Sequence, residues 1–295
     1  MNDLKRLGLA VKQPQLERYA DWLMQGERDI ELQDLCESAE LLDGDWRALA
    51  KAQAALLQHH KGRVGVHAPF WNLHLDALDP QVRRVTQQRY LQGLAFAEEV
   101  GGRWLVLHSP FYFWGHTLAQ HRQTLAQEIA LAQLTLEPVL ERAAEAAVTL
   151  VIETILDRDP TPLLALVASF DSPLVRLSVD TGHAHINAQR GGLSAQGWLS
   201  QTGQHQTGQH QVAPLLGHVH LQDNDGSADE HLAPGAGTVH WPGVLRSLRA
   251  TTTDPYLILE VVPDELEAAV QWADSLPSTL LHPEPHLALT QGVHL

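Results

Sequence analysis

Short apolar, β-branched runs recur along the chain between longer stretches whose apolar residues repeat at helical spacing. The runs are RLGLAV (6–11), RDIELQ (28–33), RVGVHA (63–68), WLVLHS (104–109), TLVIET (149–154), VRLSVD (175–180), LGHVHLQD (216–223) and YLILEV (256–261). Between them lie segments such as QVRRVTQQRYLQGLAFAEEVGG (81–102), apolar on one helical face and closed by glycine. Strand and helix signals that alternate from end to end predict βα units around a parallel sheet. Eight such units predict an α/β fold of the (β/α)8 TIM barrel type, which typically takes about 250 residues. A doubly wound sheet fits the alternation too, but no glycine-rich phosphate loop follows the first run. The barrel is expected to span residues 1–276 as one domain, with 277–295, which carries three prolines and no clear period, as a tail. The tandem repeat in SQTGQHQTGQHQ (200–211) reads as an exposed, tolerated loop rather than a histidine-bearing metal tract.

Composition narrows the picture. A hydrophobic content of 44% is ample for a full core. The single cysteine, Cys36, excludes an internal disulfide framework and suits a reducing compartment. No signal-peptide pattern opens the sequence and no stretch approaches the ~18 apolar residues of a membrane span, so a cytoplasmic, soluble protein is expected. Twenty Lys and Arg stand against thirty-five Asp and Glu, a net charge of −15. Phosphate neutralisation supplies most of the affinity for nucleic acid, so this balance argues against such a partner. Bound metal ions could still reverse the field locally.

The candidate chemistry lies at the strand ends. His67, His108, Glu153, Asp180 and Glu260 stand at or near the ends of five runs, and His220 lies within a sixth. Parallel strands all point one way, so these side chains are expected to converge on the C-terminal rim, where barrel enzymes keep their chemistry. His183 follows in VDTGHAH, and Asp229 and His231 in ADEH. Histidine, aspartate and glutamate together are the ligand set of Zn2+, Mn2+ or a similar ion. One such residue alone means little, but recurrence at one height in otherwise apolar strands points to a metal site. The segment HVHLQDNDGSADEH (218–231) is the densest part. An acidic, solvated loop accounts for Asp223, Asn224, Asp225 and Glu230. It does not account for His220 inside a buried-type strand, nor for Asp229 and His231, whose spacing of two aims both side chains one way in an extended segment. His218 faces the same side as His220, as a contact to ligand or substrate or as barrel filling. Gly235 and Gly237 suggest a sharp turn or backbone close to a ligand.

The motifs VGVHAPFWNL, LVLHSPF, LVIET, SVDTGHAH, HVHLQDNDGSADEHLAPGAGTVHW and LILEV together resemble the xylose isomerase-like barrel superfamily, from about residue 60 to 262. That superfamily holds sugar isomerases and epimerases and also the endonuclease IV apurinic-site repair enzymes. The resemblance to the endonuclease branch implies three zinc ions: His67 and His108 on one, with Glu153 bridging to a second; Asp180, His220 and Glu260 completing the second; and His183, Asp229 and His231 on the third. The resemblance to the isomerase branch implies one divalent ion on Glu153, Asp180, His220 and Glu260. There the two glutamates also move protons and His183 contacts substrate. The smaller set is nested in the larger. Two departures set the chain apart from the DNA-cleaving relatives: ELQDLCESAEL has no arginine after the second strand, and Phe70 stands where they carry tyrosine. The epimerase-like H-x-G-E-x-x-R is absent too, since LQDND follows His220.

The expected function is a divalent-metal-dependent isomerase or epimerase of a small sugar or sugar phosphate, working through an enediolate. Glu153, Glu260 and His183 are its expected catalytic groups. Trp71, Phe111, Phe113 and Trp114 are an apolar wall for the sugar or packing at the rim. The alternative is an endonuclease IV-like trinuclear zinc phosphodiester hydrolase, and a third reading is a non-catalytic metal-binding barrel.

Overall fold

The computed structural model describes residues 4–36, 38–111, 118–202 and 215–277. Its strands are β1 (Gly8–Val11), β2 (Ile30–Leu32), β3 (Val64–His67), β4 (Trp104–His108), β5 (Thr149–Glu153), β6 (Val175–Asp180), β7 (Leu216–Leu221) and β8 (Tyr256–Leu259). Each falls inside the run that predicts it. They pair in parallel and in sequence order, and β8 returns to β1, so the sheet closes into a barrel. Around it lie α1 (Gln13–Gln25), α2 (Ala39–Asp43), α3 (Trp46–Leu57), α4 (Pro80–Val100), α5 (Leu118–Ala146), α6 (Pro160–Ser169), α7 (Thr181–Ala188), α8 (Ala195–Thr202), α9 (Trp241–Ala250) and α10 (Leu266–Ser275). Of the expected tail only Pro277 is described, and most of the tandem repeat lies outside the described residues, as do Phe113 and Trp114. No helix among the described residues is long and apolar enough to cross a membrane.

Local sequence explains the helix limits. The Asp79 side chain accepts from the Gln81 amide, Pro80 opens α4 with its φ already set, and Gly101 ends it in the left-handed region at φ +72°. Asp159 and Pro160 repeat the start at α6.

Strand alternation divides the apolar residues into two cores. The larger lies between the sheet and the helices. The smaller, Ala10, Trp104, Val106, Val151 and Ile258, lies inside the barrel. Gly65 makes room for Trp104, since a Cβ there would stand 1.9 Å from the indole. The Trp104 ring stacks on Tyr256 with centroids 3.9 Å apart, and the Arg63 guanidinium covers the Tyr256 ring at 4.4 Å. Arg63 also pairs with buried Asp29 at 2.6 Å, closing the N-terminal end. From that floor upward the inward positions turn polar. Ser178 and His218 form one paired register, Asp180 and His220 the next, and His108 is level with Glu153. Period two in strands of common direction therefore carries the ligand-type residues to one rim.

Candidate metal centre

All nine expected ligands meet at that rim, in three groups whose donor atoms lie within 4.8 Å of one another. In the central group, Glu153 Oε1 and Glu260 Oε2 approach the His220 Nδ1 at 3.1 and 3.2 Å, with Asp180 beside them. Asp180 caps α7, accepting the His183 amide on Oδ1, which also accepts from the Gln222 side chain. Glu260 is the first residue beyond β8, and its Oε1 accepts from Gln33 Nε2.

The second group joins His67, His108 and Glu153. The two Nε2 atoms stand 3.3 Å apart, with Glu153 Oε2 at 3.5 and 3.8 Å. His67 donates its Nδ1–H to the Ala68 carbonyl at 2.8 Å, which leaves the Nε2 lone pair facing this gap. The third group is built alike. His183 and His231 give their Nδ1–H to the carbonyls of Thr154 and Glu260, at 2.9 and 3.0 Å. Both Nε2 atoms then face Asp229 Oδ2, at 3.2 and 3.3 Å. Backbone carbonyls thus select the tautomer that points a lone pair inward, as metal-binding histidines require.

Two buried carboxylate oxygens, Glu153 Oε2 and Asp180 Oδ2, have no hydrogen-bond partner. A cation between the groups would satisfy them. Spacings below 5 Å suit donors that share ions at ~2.0–2.3 Å. The residues therefore fit a divalent metal.

Electrostatics agree. Burial opposes ionisation of Glu153, but His220, His183 and His67 outweigh it and hold the carboxyl well below its usual range. Burial likewise opposes charge on His220, and Glu260, Glu31 and Glu153 overcome it. His231 is treated the same way, with Asp229 and Glu260 against burial, and rises to about 9. Burial pushes Asp180 up to about 6, and it holds His108 down to about 3 despite Glu153. The positive charge on His220 and His231, which their carboxylate neighbours favour, is what a divalent ion would replace, so metal binding should release protons.

The loop that carries Asp229 and His231 departs from expectation. Asp223 and Asn224 are fully buried, not solvated, while Asp225 and Glu230 are exposed as read. The Asp223 carboxylate accepts from the amides of Asn224, Gly235 and Val239 and from the Trp241 indole. It folds the loop around itself. Gly237 packs against it, since a Cβ there would stand 2.4 Å from Asp223 Oδ1, and Gly235 turns at φ +94°. Both glycines shape this loop. Asp229 and His231 do meet, but the segment is not extended: His231 sits at φ +50° in the left-handed region. Such a conformation in a histidine is costly and is typical of functional sites.

A cavity of about 630 Å3 opens onto the three groups, walled by Phe70, Trp71 and Ile155 as well as the ligands. Phe70 stacks on His108 with centroids 4.3 Å apart, and Trp71 is 64% exposed. Phe111 is buried and belongs to the core rather than the wall. No lysine or arginine lines this cavity among the described residues.

Glu31 escaped the sequence reading. It sits in β2, fully buried, with His218 and His220 at 3.0 and 2.9 Å. His218 is buried below the cavity, facing Glu31, and does not reach the substrate space. The signal for Glu31 was available: an acidic residue inside a parallel-barrel strand, the same anomaly that singles out His220.

Asp157, in the loop after β5, gives a pH test of stability. Burial pushes its carboxyl up to about 7, against hydrogen bonds from the Ile155 amide and Ser109. Its folded value lies above the unfolded one, so the stabilisation is complete below about pH 4 and is lost as pH rises through about 7. Asp157→Asn, which cannot ionise, should therefore melt higher than the parent at pH 8 and near it at pH 4. Equal differences at both values would show that Asp157 does not titrate in this window.

A family model described as a xylose isomerase-like TIM barrel matches residues 31–278. MJ1311, an uncharacterized protein of Methanocaldococcus jannaschii, is 23% identical over 213 residues, 70% of this chain and 66% of its own length, just under two thirds. Among solved structures, the TTHB071 protein from Thermus thermophilus, described as soaking with ZnCl2, is 26% identical with TM-score 0.70, covering 93% of this chain and 98% of its own. A D-tagatose 3-epimerase-like protein follows at 21% identity and TM-score 0.67, covering 91% and 96%.

Proposed function

The chain belongs to the xylose isomerase-like TIM barrel family, and on that premise we propose that it is a divalent-metal-dependent isomerase or epimerase of a small sugar. The observation that carries this reading is the approach of Glu153 and Glu260, from β5 and from beyond β8, to one nitrogen of His220 at the wall of the cavity. Glu153, Asp180, His220 and Glu260 would hold the ion. When bound, such an ion would supply Lewis acidity to a carbonyl and its neighbouring hydroxyl, acidifying the C–H on the hydroxyl-bearing carbon. Glu153 removes that proton from one face of the substrate and Glu260 returns one to the other. His183, whose charged form Asp180, Asp229 and Glu153 favour against burial, would donate from Nε2 to the developing enediolate oxygen. Phe70 and Trp71 offer apolar surface to the sugar carbons. The cavity and the likeness to a D-tagatose 3-epimerase-like protein support a carbohydrate substrate.

One observation favours a second reading. His67 and His108 with Glu153, and His183 with Asp229 and His231, each bring three ligand-type residues together beside the four of the central group. Three ions there would suit a phosphodiester hydrolase. The charge of −15 and the absence of lysine and arginine around the cavity among the described residues speak against DNA as its substrate.

Metal-loaded protein incubated with ketoses in deuterated water should exchange the α-proton, and it should leave an abasic-site duplex uncut. Cleavage of the duplex, with no exchange into any sugar tested, would reverse the order of the two readings.

A further inference from the structure

We propose that Glu31 is a positioning residue that presets His220 to bind metal through Nδ1. This rests on a metal at the central group. Glu31 enters the barrel interior from β2, and His220 from β7, 189 positions along the chain. Glu31 Oε1 accepts the His220 Nε2–H at 2.9 Å. A proton held on Nε2 leaves the Nδ1 lone pair directed at the gap between Glu153 and Glu260. The contact also fixes the ring plane, since both nitrogens are engaged.

The other oxygen is held from beneath. Trp104 Nε1–H donates to Glu31 Oε2 at 3.0 Å, and His218 Nε2 stands 3.0 Å from the same atom, off the line of a good hydrogen bond. The Ser178 hydroxyl meets His218 Nδ1 at 2.7 Å and holds the ring beside Glu31. Burial opposes charge on Glu31, and His220 and His218 outweigh it. The four residues form a column from the barrel floor to the ligand: indole, carboxylate, ligand imidazole, with a second imidazole bracing the carboxylate.

A carboxylate buried this deeply is costly unless it is fully paired, and an apolar side chain would fill the same space as well or better for stability alone. Its position behind a ligand gives it another use. A carboxylate on the far nitrogen raises the basicity of a metal-binding histidine and fixes its orientation, and losing such a partner typically costs about 10–100-fold in metal affinity.

The test is a Zn2+ titration by chelator competition on the full chain, stripped of metal beforehand. Glu31→Gln should keep the parent's circular dichroism and bind Zn2+ roughly 10–100-fold more weakly. In the 15N-labelled, Zn2+-loaded parent, His220 should show a protonated Nε2 and a metal-bound Nδ1. Parent-like affinity in a folded Glu31→Gln protein would overturn the inference, and so would a His220 that ligates through Nε2. The NMR result stands even if the variant does not fold. A parent that binds no Zn2+ would instead remove the metal reading from which the inference starts.

Discussion

Glu153→Gln should lose most of its bound metal and about 10²–10⁴-fold of its activity, the largest functional effect expected of a single substitution. Glu153 belongs to two of the three groups. One oxygen faces His67 and His108, and the other faces His220 and His183. The amide keeps the size but removes the charge, and its NH2 would point a donor where a cation or an imidazole N–H now belongs. The proposed base disappears as well. The effect should be seen as metal content by elemental analysis after dialysis, together with loss of solvent exchange into substrate. A variant with full metal content and full activity would leave Glu153 only a structural role. The same variant bears on both functional readings, because each places Glu153 on metal.

Asp223→Ala should lower stability by about 3–5 kcal/mol, as removing one partner from a buried charged network does. The carboxylate is fully buried, and three backbone amides and an indole donate to it. Alanine leaves those donors unpaired at a buried position, each at a cost of about 1–3 kcal/mol unless the loop opens. Opening would carry Asp229 and His231 away from His183, so the third group should lose its ion before the central one does. Thermal denaturation by circular dichroism measures the first effect, and metal stoichiometry the second. A fall below about 1 kcal/mol would show that the loop is held elsewhere, for instance by Glu265, which accepts the Ala233 amide.

The sequence by itself determined the barrel and the height of the ligands. Strands of a parallel barrel are buried on both faces, so they read as apolar runs, and eight such runs separated by helix-period segments leave few other architectures. Common strand direction then puts His67, His108, Glu153, Asp180, His220 and Glu260 on one rim, with no need to know which strands are neighbours. What required the tertiary structure was everything that depends on closure across the barrel and on the path of a loop. Glu31 meets His220 only because β2 and β7, which are not paired, face each other across the interior. The inward nitrogen of each ring is set by carbonyls such as those of Thr154 and Glu260, whose positions are tertiary facts. Asp223 looked like one more acid in a solvated loop, because a polar segment has the same composition whether its charges face water or backbone amides. Periodicity records which face of a strand is buried. It holds no information about which partner a buried charge will find, because that partner is brought by chain closure from elsewhere in the sequence.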